Sequence, residues 1–195
     1  MTGSAPSHPK YPHLMQPLDV AGMRMPNRAI MGSMHMNLEE QPGGFSKLAR
    51  FYAERAEGGA GLIVSGGISP NRAGRLAPHG ATLMKSGQVA KHRMVTEAVH
   101  ASGGRIALQI LHGGRYSYHP FCVAPSKGKA PISKFSPWAL SGRGVEKTIR
   151  DYVRCAELAR EAGYDGVETM GSGGYLINKF LTRWTNHRSG PGGGE

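Results

Sequence analysis

The chain has 195 residues, 39% apolar and 19% charged, enough to bury the core of one domain and unlike a disordered or low-complexity protein. Its 24 Lys and Arg against 13 Asp and Glu give a formal net charge of +11. This suits an anionic partner such as a phosphate-bearing cofactor, or simply a basic solvated surface. There is no run of five or six basic residues and no aromatic-interleaved basic motif, so a nucleic-acid binder rests on net charge alone and no nucleic-acid partner is expected. No apolar run reaches membrane-spanning length, and Met1 to Tyr11 lacks the apolar core of a signal peptide. Cys122 and Cys155 show neither metal-ligand nor disulfide spacing, which predicts no metal site and reduced thiols in a cytoplasmic protein.

In chain order, Leu14 to Asn27 holds Pro17, Gly22 and Pro26 among alternating apolar residues and predicts a small hairpin. A strand follows at Arg28 to Met34. The spacing then predicts a helix over Phe45 to Glu57, a break at Gly58-Gly59-Ala60 and a strand over Gly61 to Gly67. The same unit recurs as a helix from about Val89 to Ser102, Gly103-Gly104, and a strand from Arg105 to Leu111. It recurs again as a helix from about Val145 to Ala162, Gly163, and a strand ending at Met170. Glycine after each helix suits a left-handed cap, and near-continuous apolar strands imply a sheet covered on both faces. Such alternation means parallel βα units. Four strands fit half of a barrel or a small open sheet. The connection from Leu111 to Val145 is long, irregular and rich in Gly, Pro, Ser and aromatic residues, as binding loops and lids are.

The strands end in small or polar residues: Gly32-Ser33-Met34, Ser65-Gly66-Gly67, Gln109 with His112 to Tyr116, and Gly171-Ser172-Gly173-Gly174-Tyr175. Small residues let a flat ligand approach backbone donors and acceptors, which suits a planar heterocycle. Gln109 stands in an apolar strand, where a buried amide needs hydrogen-bond partners. It is either a core glutamine bonded to backbone or a group placed for the pyrimidine edge of a flavin. Tyr175, lifted from a strand end by glycines, is the candidate proton donor, with a packing aromatic as the alternative. His112 and Arg115 fit phosphate binding or a solvated loop, and His35 is equally ambiguous. Gly171 to Gly174 lacks the spacing of a phosphate-binding glycine loop.

Five segments then carry a family resemblance. Met31 to His35, Phe51 to Ala56, Leu62 to Gly67, Gln109 to Tyr116 and Ala162 to Glu168 together resemble the Old Yellow Enzyme family of FMN oxidoreductases. The resemblance is nearest to its bacterial 2,4-dienoyl-CoA reductase (NADPH) branch and covers about Tyr11 to Arg188. It implies an α/β fold of the (β/α)₈ TIM-barrel type, of which residues 1–195 would form the N-terminal half, about four βα units. It implies FMN held by Gly32, Ser33, Met34, Gly67 and Gln109. It also implies hydride transfer from the reduced flavin N5 to a conjugated alkene, with Tyr175 supplying the proton. The implied partner is a small-molecule substrate, an unsaturated acyl-CoA, with NADPH as electron donor. A 4Fe-4S cluster and an NADPH domain belong only to the full-length relative. Met170 and Gly173 stand where yeast-type members carry a two-donor carbonyl anchor, which favours the dienoyl-CoA branch.

The family motif Asn-x-Arg-x-Asp-x-Trp/Tyr-Gly-Gly begins at Asn186 and Arg188, but Gly190 and Gly192 replace its acidic and aromatic positions. The last four strands and the phosphate site expected after strands seven and eight are absent from residues 1–195. The competing expectation is therefore a truncated, non-catalytic half-barrel that does not retain FMN and self-associates through unpaired sheet edges and an uncovered apolar face.

Overall fold

The computed structural model describes residues 8–190 and 192–193. Met1 to Ser7 of the polar N-terminus, and Pro191, Gly194 and Glu195 at the altered motif, lie outside the described residues. The predicted hairpin forms from antiparallel β1 (Leu18–Val20) and β2 (Met23–Met25). Its two-residue turn places both Ala21 and Gly22 at positive φ, 47° and 85°. A turn of that kind matches strand twist but favours Asn or Gly at both places, and an alanine there is strained by about 1 kcal/mol. Ala21→Asn is therefore expected to slow hydrogen exchange of the hairpin amides about fivefold, with the rest of the chain unchanged.

Four strands form one all-parallel sheet in the order β3 (Ile30–Met31), β4 (Leu62–Val64), β5 (Ile106–Ile110) and β8 (Gly166–Thr169). Neighbours in the chain are neighbours in space, as consecutive βα units require. Three helices join the strands: α1 (Gly44–Glu57), α2 (Val89–Ala101) and α3 (Gly142–Glu161). The buried side chains Phe45, Leu48, Ala49, Tyr52 and Ala56 recur at helical spacing along α1 and meet Val95 and Val99 of α2. They cover Ile63, Ile106, Leu108 and Ile110, the outward set of the sheet, and Cys155, Leu158 and Ala159 of α3 complete the layer. Burying the four branched side chains of the sheet contributes about 1.5–3 kcal/mol each, which makes this face the chief source of stability.

The opposite face does not follow the prediction of cover on both sides. Ile30, registered with Leu62 on that face, is 58% exposed. At the other outer strand Val167, on the helix-facing side with Leu108, is 42% exposed. Apolar strands report only that these positions suit burial, and nothing among the described residues covers them. The first strand is also shorter than predicted: only Ile30 and Met31 pair with β4, and residues 32–34 peel away as a loop.

The connection from 111 to 145 is more ordered than its composition suggests. It contains a 3-10 turn at Gly114–Tyr116 and a parallel pair, β6 (Val123–Ala124) with β7 (Trp138–Ala139). α3 begins three residues before the predicted Val145, because the Ser141 hydroxyl accepts a hydrogen bond from Gly144 N at 3.1 Å and caps it. A short helix, α4 (Leu176–Leu181), follows the glycine-rich turn. Asn186 and Arg188 tie the tail down. Asn186 Nδ2 donates to Phe180 O and Gly192 O at 2.8 and 2.7 Å, and the Arg188 guanidinium donates to Pro125 O and Leu140 O.

Candidate active site

The six predicted site residues gather at the C-terminal end of the sheet. Leaving β3, the Ser33 hydroxyl donates to Ser65 O at 2.8 Å. Just past β4, Ser65 Oγ accepts from Gln109 N of β5 at 3.1 Å, so three successive strand ends are stitched together. Gln109 is 5% exposed, and its Nε2 donates to Glu168 Oε1 at 3.3 Å and lies 3.8 Å from Met170 Sδ. Its Oε1 has no protein partner among the described residues. A Cβ built at Gly67 would fall 3.1 Å from that oxygen and 2.8 Å from Leu111 Cδ1. Gly67 is thus packed too closely against Leu111 and the amide to bear a side chain, and the open slot at these strand ends lies beside Gly32 instead. Around Gly32 nothing lies within 4 Å of a notional Cβ, and Met34 is 49% exposed.

Tyr175 reaches the same place from the far side. The turn at Gly173 and Gly174 has φ of +66° and +77°, and Tyr175 N donates to Ser172 O before α4 begins. Next to Gly173 lie both the Tyr175 ring and the Met170 methyl, 3.1 and 3.3 Å from where a Cβ would be. Gly174 lies so close to Tyr116 that a Cβ would meet its ring at 2.5 Å. The Tyr116 and Tyr175 rings stand edge to face, centroids 6.2 Å apart. Lys179, 6% exposed, holds its Nζ 5.0 Å over the Tyr116 ring. The Tyr175 ring is thereby fixed by packing while its hydroxyl makes no protein hydrogen bond among the described residues, the arrangement a proton donor to a ligand needs.

Glu168, Tyr116 and Lys179 were not singled out from the sequence. Glu168 could have been, because an acidic residue two places before the end of an apolar strand faces the same way as its register partner Gln109. Nothing local marks Lys179, whose role comes from the aromatic ring above it.

Of the two ambiguous histidines, His112 is structural. His112 is fully buried, its Nδ1 accepts from Gly114 N at 3.2 Å, and burial pushes its pKa down to about 3. A neutral, enclosed imidazole does not bind phosphate. Its carbonyl accepts from Leu176 N and so anchors the start of α4. His35 lies 3.1 Å from Glu40, a pairing confined to its own loop. Among the described residues, no helix is long and apolar enough to cross a membrane.

Half of a parallel α/β barrel, with a strand-borne glutamine and a tyrosine at its strand ends, puts the candidate site at the C-terminal face where barrel enzymes carry theirs. Residues 13–195 match the model of the NADH:flavin oxidoreductase / NADH oxidase family, and the chain belongs to that family, the Old Yellow Enzyme family. It is 33% identical to a metal reductase of Desulforamulus reducens, over 93% of this chain and 28% of that one. It is 30% identical to an NADPH dehydrogenase of Bacillus subtilis, over 93% of this chain and 55% of that one. Morphinone reductase, solved in complex with tetrahydroNAD, superposes with a TM-score of 0.84 at 32% identity, over 94% of this chain and 56% of that one. 2-Naphthoyl-CoA reductase, solved with 2-naphthoyl-CoA, superposes with a TM-score of 0.87 at 25% identity, over 94% of this chain and 31% of that one. The fold is thus that of the TIM-barrel members, and the chain spans about half the length of the NADPH dehydrogenases it matches. Proteins of the family are FMN-dependent oxidoreductases that take electrons from NAD(P)H.

Proposed function

We propose that residues 1–195 carry the N-terminal βα units of an FMN- and NAD(P)H-dependent reductase of activated C=C bonds, with an unsaturated acyl-CoA as substrate. The observation that carries this reading is the run of contacts from Ser33 through Ser65 and Gln109 to Met170, which borders the Gly173 turn beside Tyr175, with open space at Gly32 and a free Gln109 oxygen. The residues fit a flavin. Gln109 offers Oε1 and Nε2 to a two-sided heterocycle edge, Gly32 leaves room for a flat ring, Gly67 lets the backbone come close beside Gln109, and the 32–34 backbone borders it. FMN, when bound, supplies the hydride that reduces the alkene. Tyr175 supplies the proton, held in position by Tyr116 and the Gly173-Gly174 turn. The absence of a two-donor anchor at Met170 and Gly173 favours a thioester substrate over a simple enone. Two buried free thiols, Cys122 and Cys155, suit a cytoplasmic setting.

The second reading, a half-barrel that self-associates without flavin, draws on the exposure of Ile30 and Val167 at the two outer strands. Reconstitution with FMN, desalting and a visible spectrum, run beside sedimentation velocity, separates the two. A retained flavin band supports the first, and a concentration-dependent oligomer without flavin supports the second. Gly67→Ala is expected to weaken FMN binding about tenfold, because the added Cβ displaces Leu111 and crowds Gln109 at a cost of about 1–3 kcal/mol. Unchanged affinity would remove Gly67 from the site.

A further inference from the structure

The loops that follow β4 and β5 clasp each other beyond the flavin slot. Gly113 N donates to Gly74 O and Tyr118 N to Leu76 O, each at 2.7 Å. Between them lies a cavity of about 520 Å³ lined by Arg72, Arg75, Pro78, His119, Pro120 and Phe121, within the usual size of a small-molecule site. Its walls are pinned. His119, 5% exposed, lies with Nε2 3.0 Å from Arg75 O, and its Nδ1 accepts from Phe121 N at 3.2 Å. That pair of bonds requires the neutral tautomer with the proton on Nε2. One imidazole thus sets the spacing between an arginine on one loop and an aromatic on the other.

The side chains facing the cavity are not used up by the protein. Neither Arg72 nor Arg75 pairs with a carboxylate among the described residues, although five other arginine pairings occur. Arg75 donates once, Nη1 to Pro78 O at 3.0 Å, and its buried Nε has no partner. Phe121 is 73% exposed, which leaves its ring face open beside two cations. Free guanidinium groups select phosphate, and an exposed ring beside them selects a flat base.

We infer that this cavity binds the phosphorylated adenosine end of a nucleotide co-substrate, with the phosphates at Arg72 and Arg75 and the purine against Phe121. The inference deepens the reductase reading and rests on it. Phe121 stands five residues from Tyr116, at most about 18 Å of extended chain, and Tyr116 touches Tyr175. A ligand held by its adenosine at this cavity can therefore lay its reactive end at the slot. Two co-substrates share this chemistry, a 2′-phosphorylated nicotinamide dinucleotide and a 3′-phosphorylated coenzyme A thioester.

The test is isothermal titration of the chain, with and without added FMN, using 2′,5′-ADP, 3′,5′-ADP and adenosine. At least one bisphosphate is expected to bind at least about tenfold more tightly than adenosine, through charge-assisted hydrogen bonds. Tighter 2′,5′-ADP assigns the cavity to the nicotinamide donor, and tighter 3′,5′-ADP assigns it to the thioester. Arg72→Gln and Phe121→Ser, both at exposed positions, are each expected to weaken that binding about tenfold. Arg50→Gln, the same charge change on the far helix α1, is expected to leave it within about twofold. No binding of either bisphosphate at millimolar concentration, or equal losses in all three variants, overturns the inference. Because the titration reads nucleotide rather than flavin, bisphosphate binding without retained FMN would count against the reductase reading of this chain and leave the cavity assignment standing.

Discussion

Replacing Tyr175 by phenylalanine is expected to lower the rate of alkene reduction by the FMN-loaded chain about 10²–10⁴-fold, the usual contribution of a positioned proton donor. The substitution removes one hydroxyl and keeps the ring that packs edge to face on Tyr116, so the Gly173-Gly174 turn and the start of α4 stay in place. The loss belongs in the step that reduces the alkene. Flavin reduction by NADPH, followed at the visible band before substrate is added, should change by less than about twofold. A variant that slows both half-reactions equally would reassign Tyr175 to flavin binding, and one that slows neither would remove it from the chemistry.

Acidification from pH 7 to 4 is expected to unfold the chain through two histidines. His92, a fully buried residue of α2, has its Nδ1 3.0 Å from the Tyr164 hydroxyl and its ring edge-on to Phe45 of α1. Burial first, and the neighbouring Lys91 second, push its pKa from 6.5 to about 3. His112, fully buried at the end of β5, is likewise pushed to about 3, chiefly by burial. In both, the folded value lies below the unfolded one, so the unfolded chain binds more protons between about pH 6.5 and 3. The stability these neutral rings provide is complete above pH 6.5 and is lost as pH falls towards 3. Each removes about 1.4 kcal/mol per pH unit, roughly 3 kcal/mol per unit together. Two to three units thus remove roughly 6–9 kcal/mol, enough to unfold a domain whose stability lies in the lower part of the usual range of about 5–15 kcal/mol. Urea midpoints measured at pH 7, 6, 5 and 4 check this, and a midpoint that stays constant would refute it. In His92→Phe the slope of stability against pH is expected to fall by about half, because one of the two protons no longer contributes.

The helices were legible because their signal is local. Phe45, Leu48, Ala49, Tyr52 and Ala56 announce both a helix and its buried face, and glycines at its ends bound it. The strand-end glycines and Gln109 were legible for a similar reason, since a polar amide in an apolar run is conspicuous wherever it points. The two-residue extent of β3 was not, because nothing in Gly32, Ser33 and Met34 marks where the chain stops pairing with β4. Nor was the β6–β7 pair, in which Val123 and Trp138 meet in register across a loop without periodicity. His112 and His92 could have been read as solvated or ligand-binding, since burial depends on what folds over a residue.

The sequence by itself determined the order of βα units, the parallel class of the sheet, and the small and polar character of its strand ends, all properties of residues close together in the chain. Only the tertiary structure decided which groups face one another. Gln109 meets Glu168 across 59 residues of chain, and His119 bridges to Arg75 across 44. Such pairings follow from strand register and loop packing, where a shift of one position turns a side chain to the opposite face. That non-local dependence is why the chemistry of the strand ends could be read from the residues, whereas the placing of the slot and the building of the arginine-lined cavity could not.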